Sequence, residues 1–159
     1  SGNPEEGELR PQLLDRFGLA VEVRTPNDIA QRVMVVRRRD AFETDPQAFI
    51  AEWHDADEAV RKRIVAARKH LREVQVADAA IERAASLCMA LGTDGLRGEL
   101  TLMRAARALA ALDGDLAVAD SHLQRAAKPA LRHRLRRDPL DDTGASARVE
   151  RAMQEVFAA

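Results

Sequence analysis

The sequence predicts a mainly α-helical fold: a helical bundle preceded by a short helix-and-strand remnant of a different architecture. Three observations carry this expectation. Aromatic residues make up only 3% of the 159 residues, with no Tyr and one Trp. Ala, Leu and Arg recur throughout, a mixture that favours helices packed through small and aliphatic side chains over a β-sandwich. Beyond residue 25 the apolar residues also repeat at helical spacing between helix-start and helix-stop signals.

The elements follow in order. Asn3-Pro4 and Gly7 mark turns. Pro11 opens a short helix carrying Leu13, Leu14 and Phe17, which Gly18 stops. Leu19-Ala20-Val21-Glu22-Val23 alternates like a strand, yet a lone strand needs a partner and the rest of the chain offers none. Residues 1–25 are therefore expected to be the edge of something larger, with Leu13, Leu14, Val21 and Val23 bare and the segment without a fixed place on its own. Residues 26–159 form the helical region.

Thr25-Pro26-Asn27-Asp28 reads as a helix start, with Thr25 as cap, for a helix to about Asp40 that buries Ile29, Val33 and Val36. Asp45-Pro46 starts a long helix through Leu71, with a possible bend near residues 54–57. A third runs from about Ala77 to Leu91, with Ile81, Ala84, Ala85, Cys88 and Leu91 on one stripe and Gly92 closing it. A fourth spans about Gly95 to Asp113, ended by Gly114. Asp120 is expected to cap a fifth, which carries Leu123, Ala127 and Leu131 and is kinked by Pro129. A last helix, about Ser146 to Phe157, presents Val149, Met153 and Val156.

Charge and motifs narrow the function. Lys plus Arg number 25 against 26 Asp plus Glu, a net charge of −1, so no global field draws nucleic acid or an anionic membrane. No run reaches the roughly 18 apolar residues of a membrane span. One cysteine, Cys88, excludes an intrachain disulfide and suits a reducing compartment. On an apolar stripe it reads as a packed small residue. No phosphate-binding loop, C-x-x-C or H-E-x-x-H occurs, and the four histidines lack metal-ligand spacing. His122 and His133 stand three helical turns apart, too far to share an ion.

Two arginine-centred stretches remain. Gly7 to Phe17 ends in Asp15-Arg16-Phe17, which displays a guanidinium at a domain edge. Arginine meets phosphate oxygens well because its charge is permanent and its donors form a planar fork. Asp15 beside it is the expected orienter of that fork. In Gly92-Thr93-Asp94-Gly95-Leu96-Arg97-Gly98, glycines surround an Arg in the first turn of a helix, where unpaired N–H groups and the dipole favour phosphate. Taken singly, each also reads as a solvated surface arginine.

Together they are more specific. Asn3-Pro4-Glu5-Glu6-Gly7-Glu8-Leu9-Arg10-Pro11-Gln12-Leu13-Leu14-Asp15-Arg16-Phe17-Gly18 resembles the end of the nucleotide-binding core in magnesium chelatase ATPase subunits, which are AAA+ proteins. Gly95 to Leu102 resembles the lid of the same family, as does His133-Arg134-Leu135-Arg136-Arg137-Asp138-Pro139-Leu140-Asp141. The resemblance covers nearly the whole chain in the right order.

It implies a lid bundle at 26–159 following the end of an AAA+ α/β core at 1–25. It also implies a homo-oligomeric ring, a hexamer, that hydrolyses ATP with Mg²⁺ at subunit interfaces and drives Mg²⁺ insertion into protoporphyrin IX. The D and H chelatase subunits are the implied partners, and the bacterial cytoplasm or the chloroplast stroma the implied location. Asn3 matches sensor 1, Arg16 the arginine finger that reaches the neighbour's nucleotide, and Arg97 the sensor-2 arginine of the subunit's own site. The family's phosphate-binding loop and magnesium-binding strand would precede Asn3, so this polypeptide alone is not expected to hydrolyse ATP. The rival readings are a related AAA+ remodelling or metal-loading chaperone and a non-enzymatic helical interaction domain. In the last, the basic stretch Arg132, His133, Arg134, Arg136, Arg137 would face a partner.

Overall fold

Residues 10–135 and 144–158 are described by a computed structural model. Its helices are α1 (Pro11–Leu14), α2 (Ile29–Thr44), α3 (Pro46–His70), α4 (Asp78–Ala90), α5 (Arg97–Asp113), α6 (Asp120–Leu131) and α7 (Gly144–Phe157). A 3₁₀ turn, Arg132–Arg134, extends α6.

The core lies among α4, α5, α6 and α7. Leu87, Leu102, Leu123, Leu131 and Val149 are fully buried there, and the gaps between helices are filled by Ala84, Ala106, Ala110, Ala127 and Ala130. Alanine at these positions lets helix axes approach closely while losing no side-chain entropy. One close approach falls at Gly98. A Cβ there would stand 3.2 Å from Cys88 Sγ, 3.3 Å from Thr93 Oγ1 and 3.4 Å from Leu131 Cδ2. Lack of a side chain thus seats the start of α5 against both α4 and α6, and it fixes where Arg97 emerges.

The α2–α3 pair is built differently. Neither helix buries a residue, and Ile29, Val36 and Ile50 are largely exposed. The expectation that α2 buries Ile29, Val33 and Val36 therefore fails. The stripe exists, but the main described neighbour of α2 is α3, through Phe42 against Phe49 and Arg38 over the Trp53 ring at 4.5 Å. With 25 residues α3 is about 38 Å long at a 1.5 Å rise. Its C-terminal half reaches the bundle, where Arg63 Nε donates to Leu112 O at 3.2 Å and Ala67 packs on the core.

Helix starts follow local chemistry, with two corrections. Asp45 caps α3 by accepting from the N–H groups of Gln47 and Ala48, with Pro46 at the first turn. For α2 the cap is Asp28, which accepts from Gln31 N at 2.8 Å, rather than Thr25. For α6 the cap position is Ala119, not Asp120. His122 supplies the missing acceptor, its Nδ1 taking the Ala119 N–H at 2.9 Å. With Nδ1 accepting, the ring proton sits on Nε2, 3.1 Å from Asp115 Oδ2. Asp120 instead pairs with Arg83 of α4. Gly114, at φ 85°, ends α5 in the left-handed conformation open to glycine.

The expected strand at 19–23 is not one. Residues 19–23 lie outside any strand, and Ala20 N donates to Pro129 O at 2.8 Å. Among the described residues the only bridge is an isolated one, Gln75 with Ala117. An alternating pattern makes a strand only where another strand offers a free edge. The bond to Pro129 does tie this segment to α6, so residues 15–20 have a definite place on the bundle. Leu13, Val21 and Val23 stay exposed, as expected, whereas Leu14 is half-buried.

Candidate functional site

The two arginine-centred stretches meet. Arg97, the first residue of α5, donates through Nη1 to the Asp15 carboxylate and, at 3.4 Å, to the Asp15 carbonyl. Gly92 and Gly95, at φ 64° and 65°, turn the chain between α4 and α5 so that Arg97 faces the turn after α1. The Arg97 side chain remains 57% exposed, so part of its fork is open to solvent.

A second arginine completes the junction. Arg134 Nη1 donates to Asp15 O at 2.8 Å and Asp15 Oδ1 at 2.5 Å, and Nη2 donates to Phe17 O at 2.7 Å. Nε reaches Ala130 O at 3.1 Å and Nη2 reaches Thr101 Oγ1 at 3.3 Å. Its side chain is 4% exposed. A carboxylate and several carbonyls surround the guanidinium and offset the cost of taking its charge out of water.

His133 joins from the same 3₁₀ turn. Its Nε2 lies 3.0 Å from Phe17 O, and a carbonyl can only accept, so Nε2 carries the proton. Nδ1 is buried with no hydrogen-bond partner among the described residues. Burial holds the imidazole pKa below 6.5, opposed by the Phe17 carbonyl and reinforced by the Arg134 charge.

Of the residues singled out from sequence, Asp15 and Arg97 are brought together. Arg16 is exposed, and among the described residues its guanidinium has no ion pair or hydrogen bond. The Asp15 carboxylate is turned to Arg97 and Arg134 rather than to Arg16, because two fixed guanidiniums converge on it from the bundle. Asn3 lies outside the described residues. So do Arg136 and Arg137 of the basic stretch, whose described arginines point inward: Arg134 is buried and Arg132 lies 3.3 Å from Glu22. The described members Arg132, His133 and Arg134 hold residues 15–22 to the bundle.

Sequence reasoning placed Arg134 within a long resemblance and in a basic stretch, not at this junction. Nothing local marks it, since its partners Asp15 and Phe17 stand 119 and 117 positions away. Cys88, 1% exposed, packs beneath Gly98 with its thiol pKa raised to about 11, mainly by burial and then by the nearby Glu99 charge. It is a packed residue, as expected. No described group of His, Cys, Asp and Glu could hold a metal ion, and no described helix is long and apolar enough to cross a membrane.

Residues 81–155 match the AAA lid domain. Over 157 residues, 99% of it, the chain is 63% identical to a magnesium-chelatase 38 kDa subunit of Acidiphilium rubrum. Over the same share it is 59% and 58% identical to the magnesium-chelatase 38 kDa subunits of Rhodobacter capsulatus and Cereibacter sphaeroides. These matches cover 46%, 45% and 47% of the three relatives, so the chain spans less than half the length of the curated relatives it matches. Over nearly all its residues the chain is therefore similar to part of the magnesium-chelatase 38 kDa subunits, and from α4 to α7 it matches the AAA lid domain.

Proposed function

We propose that the chain is part of the ATP-hydrolysing motor subunit of magnesium chelatase, which drives insertion of Mg²⁺ into protoporphyrin IX in chlorophyll or bacteriochlorophyll synthesis. The observation that carries this is the 58–63% identity over 99% of the chain to magnesium-chelatase 38 kDa subunits. In this reading residues 1–25 close the nucleotide-binding core and 26–159 form the helical region with the lid. The subunit works in a homo-oligomeric ring, a hexamer, with the D and H chelatase subunits, in the cytoplasm of a bacterium or the stroma of a chloroplast.

The residues fit one part of ATP chemistry. Phosphoryl transfer spreads negative charge over the γ-phosphoryl oxygens, and catalysis depends on neutralising and positioning it. Arg97 stands in the first turn of α5, where unpaired N–H groups and a half-exposed guanidinium suit a phosphate of the subunit's own nucleotide. Arg16, solvent-facing and unpaired among the described residues, suits a phosphate held by the neighbouring subunit. Asn3 is assigned to sensor 1, where it would position the attacking water. The sequence carries no phosphate-binding loop, so ATP with its Mg²⁺ is held by the rest of the subunit. An arginine finger is worth roughly 10³–10⁵ in rate.

The test is ATP turnover and Mg-protoporphyrin formation by the complete subunit, wild type against Arg16→Ala, with ring assembly and ATP binding followed in parallel. Turnover falling by about three orders of magnitude in an intact, ATP-binding ring supports the reading. Survival of both activities sinks it.

A further inference from the structure

Arg134 bonds to the backbone on both sides of Arg16. Its Nη1 holds the Asp15 carbonyl and carboxylate, and its Nη2 holds the Phe17 carbonyl, at 2.8, 2.5 and 2.7 Å. The same planar group is anchored to α6 through Ala130 O and to α5 through Thr101 Oγ1. The peptide that joins Asp15 to Arg16 and the one that follows Phe17 are therefore fixed relative to the bundle. The Arg16 side chain has no tether of its own among the described residues. Its origin and direction are set by that backbone alone.

We propose that Arg134 is the positioning residue for Arg16: a buried strut by which the lid of one subunit aims the arginine offered to the next subunit's nucleotide. The inference rests on the reading of Arg16 as a finger. It adds that finger and lid move as one body. Arg97 and Arg134 share the Asp15 carboxylate, so a shift of the lid at its own nucleotide carries Arg16 with it. Lysine cannot replace Arg134 in this task. An ammonium is a point donor and does not span two carbonyls and a carboxylate in one plane.

The experiment uses the complete subunit with Arg134→Lys, and Arg16→Ala as reference. The expected result is an assembled ring with KM for ATP within about twofold of wild type and kcat lower by about ten- to a hundredfold, the scale of a misplacement near 1 Å. Trypsin should cut after Arg16 faster in the variant. In mixed rings, subunits that cannot bind ATP but keep Arg16 and Arg134 should restore turnover at the ATP sites of Arg134→Lys subunits, because the finger acts across the interface. A kcat unchanged by Arg134→Lys while Arg16→Ala abolishes turnover overturns the inference and leaves the finger standing. Lower kcat without rescue in mixed rings also overturns it, by placing the defect in the variant's own site. Loss of helical circular dichroism in Arg134→Lys overturns it too, since Arg134 is then needed for the fold itself. If Arg16→Ala is harmless, the underlying reading has failed instead.

Discussion

Arg97 and Asp15, 82 positions apart in the chain, share one ion pair at the point where α5 begins. In the proposed site Arg97 also meets a phosphate, so Asp15 and nucleotide draw on the same guanidinium. The pair is half-exposed on both sides, and pairs of that kind contribute about 0–1 kcal/mol to stability. Arg97→Ala should therefore change the unfolding free energy of this chain, measured by urea melts, by less than about 1 kcal/mol. In the complete subunit the same change should cut ATP turnover by at least about tenfold. A large loss of stability with normal turnover would make Arg97 a structural residue.

Burial separates the bundle from the α2–α3 arm, and substitutions should report the difference. Leu102 is fully buried at the centre of the core, so Leu102→Ala should cost about 2–5 kcal/mol of unfolding free energy. Val36, 67% exposed, should tolerate alanine within about 0.5 kcal/mol. Urea melts followed by circular dichroism measure both. Equal costs would mean that the arm is covered as thoroughly as the bundle.

The His133 contact should be sensitive to acid. The imidazole pKa is lowered in the fold, so its contribution is fully present above 6.5 and is lost as pH falls through the depressed folded value. Protonation would add a hydrogen at buried Nδ1, which has no described acceptor, against the Arg134 and Arg132 charges, with Asp15 opposing them. The protection factors of the amides at residues 15–20 should be flat from pH 7 to 8 and fall as pH drops below the ordinary histidine value of 6.5. His133→Gln should flatten that acid response, because a side-chain amide can still donate to Phe17 O without titrating.

Cys88 should be silent to thiol reagents in the native chain. Its thiol is buried and stays protonated until about pH 11, so little thiolate forms at neutral pH. The raised value gives the sign at high pH: stability is complete below about 9 and is lost as pH rises toward 11. Ellman's reagent at pH 8 should react slowly with the folded chain and at once in denaturant. Rapid labelling of the native chain would show that α4 and α5 part readily at Gly98.

Local chemistry wrote much of this fold legibly. Asp45-Pro46 opens α3 and Gly114 ends α5 because a cap acceptor or a left-handed turn is decided within a few residues. Arg97 could be placed in a first turn between glycines for the same reason. Where several residues could do one job, the outcome was tertiary. Asp28 rather than Thr25 caps α2, and His122 serves α6 at a position where Asp120 is drawn off to Arg83 of α4.

What the sequence by itself determined is therefore the helices, most of their ends, the absence of a phosphate-binding loop, and the two arginines to watch. The tertiary structure decided what those arginines touch. The stripe on α2 stays bare because α3 is its main neighbour among the described residues, and Leu19–Val23 forms no strand because no described edge is offered. Arg134 turns from a surface cation into a buried strut because the chain brings residues 15–17 back across α5 and α6. Periodicity and capping act over a single helical turn, whereas the desolvation and pairing of a charge depend on whatever distant segment arrives beside it.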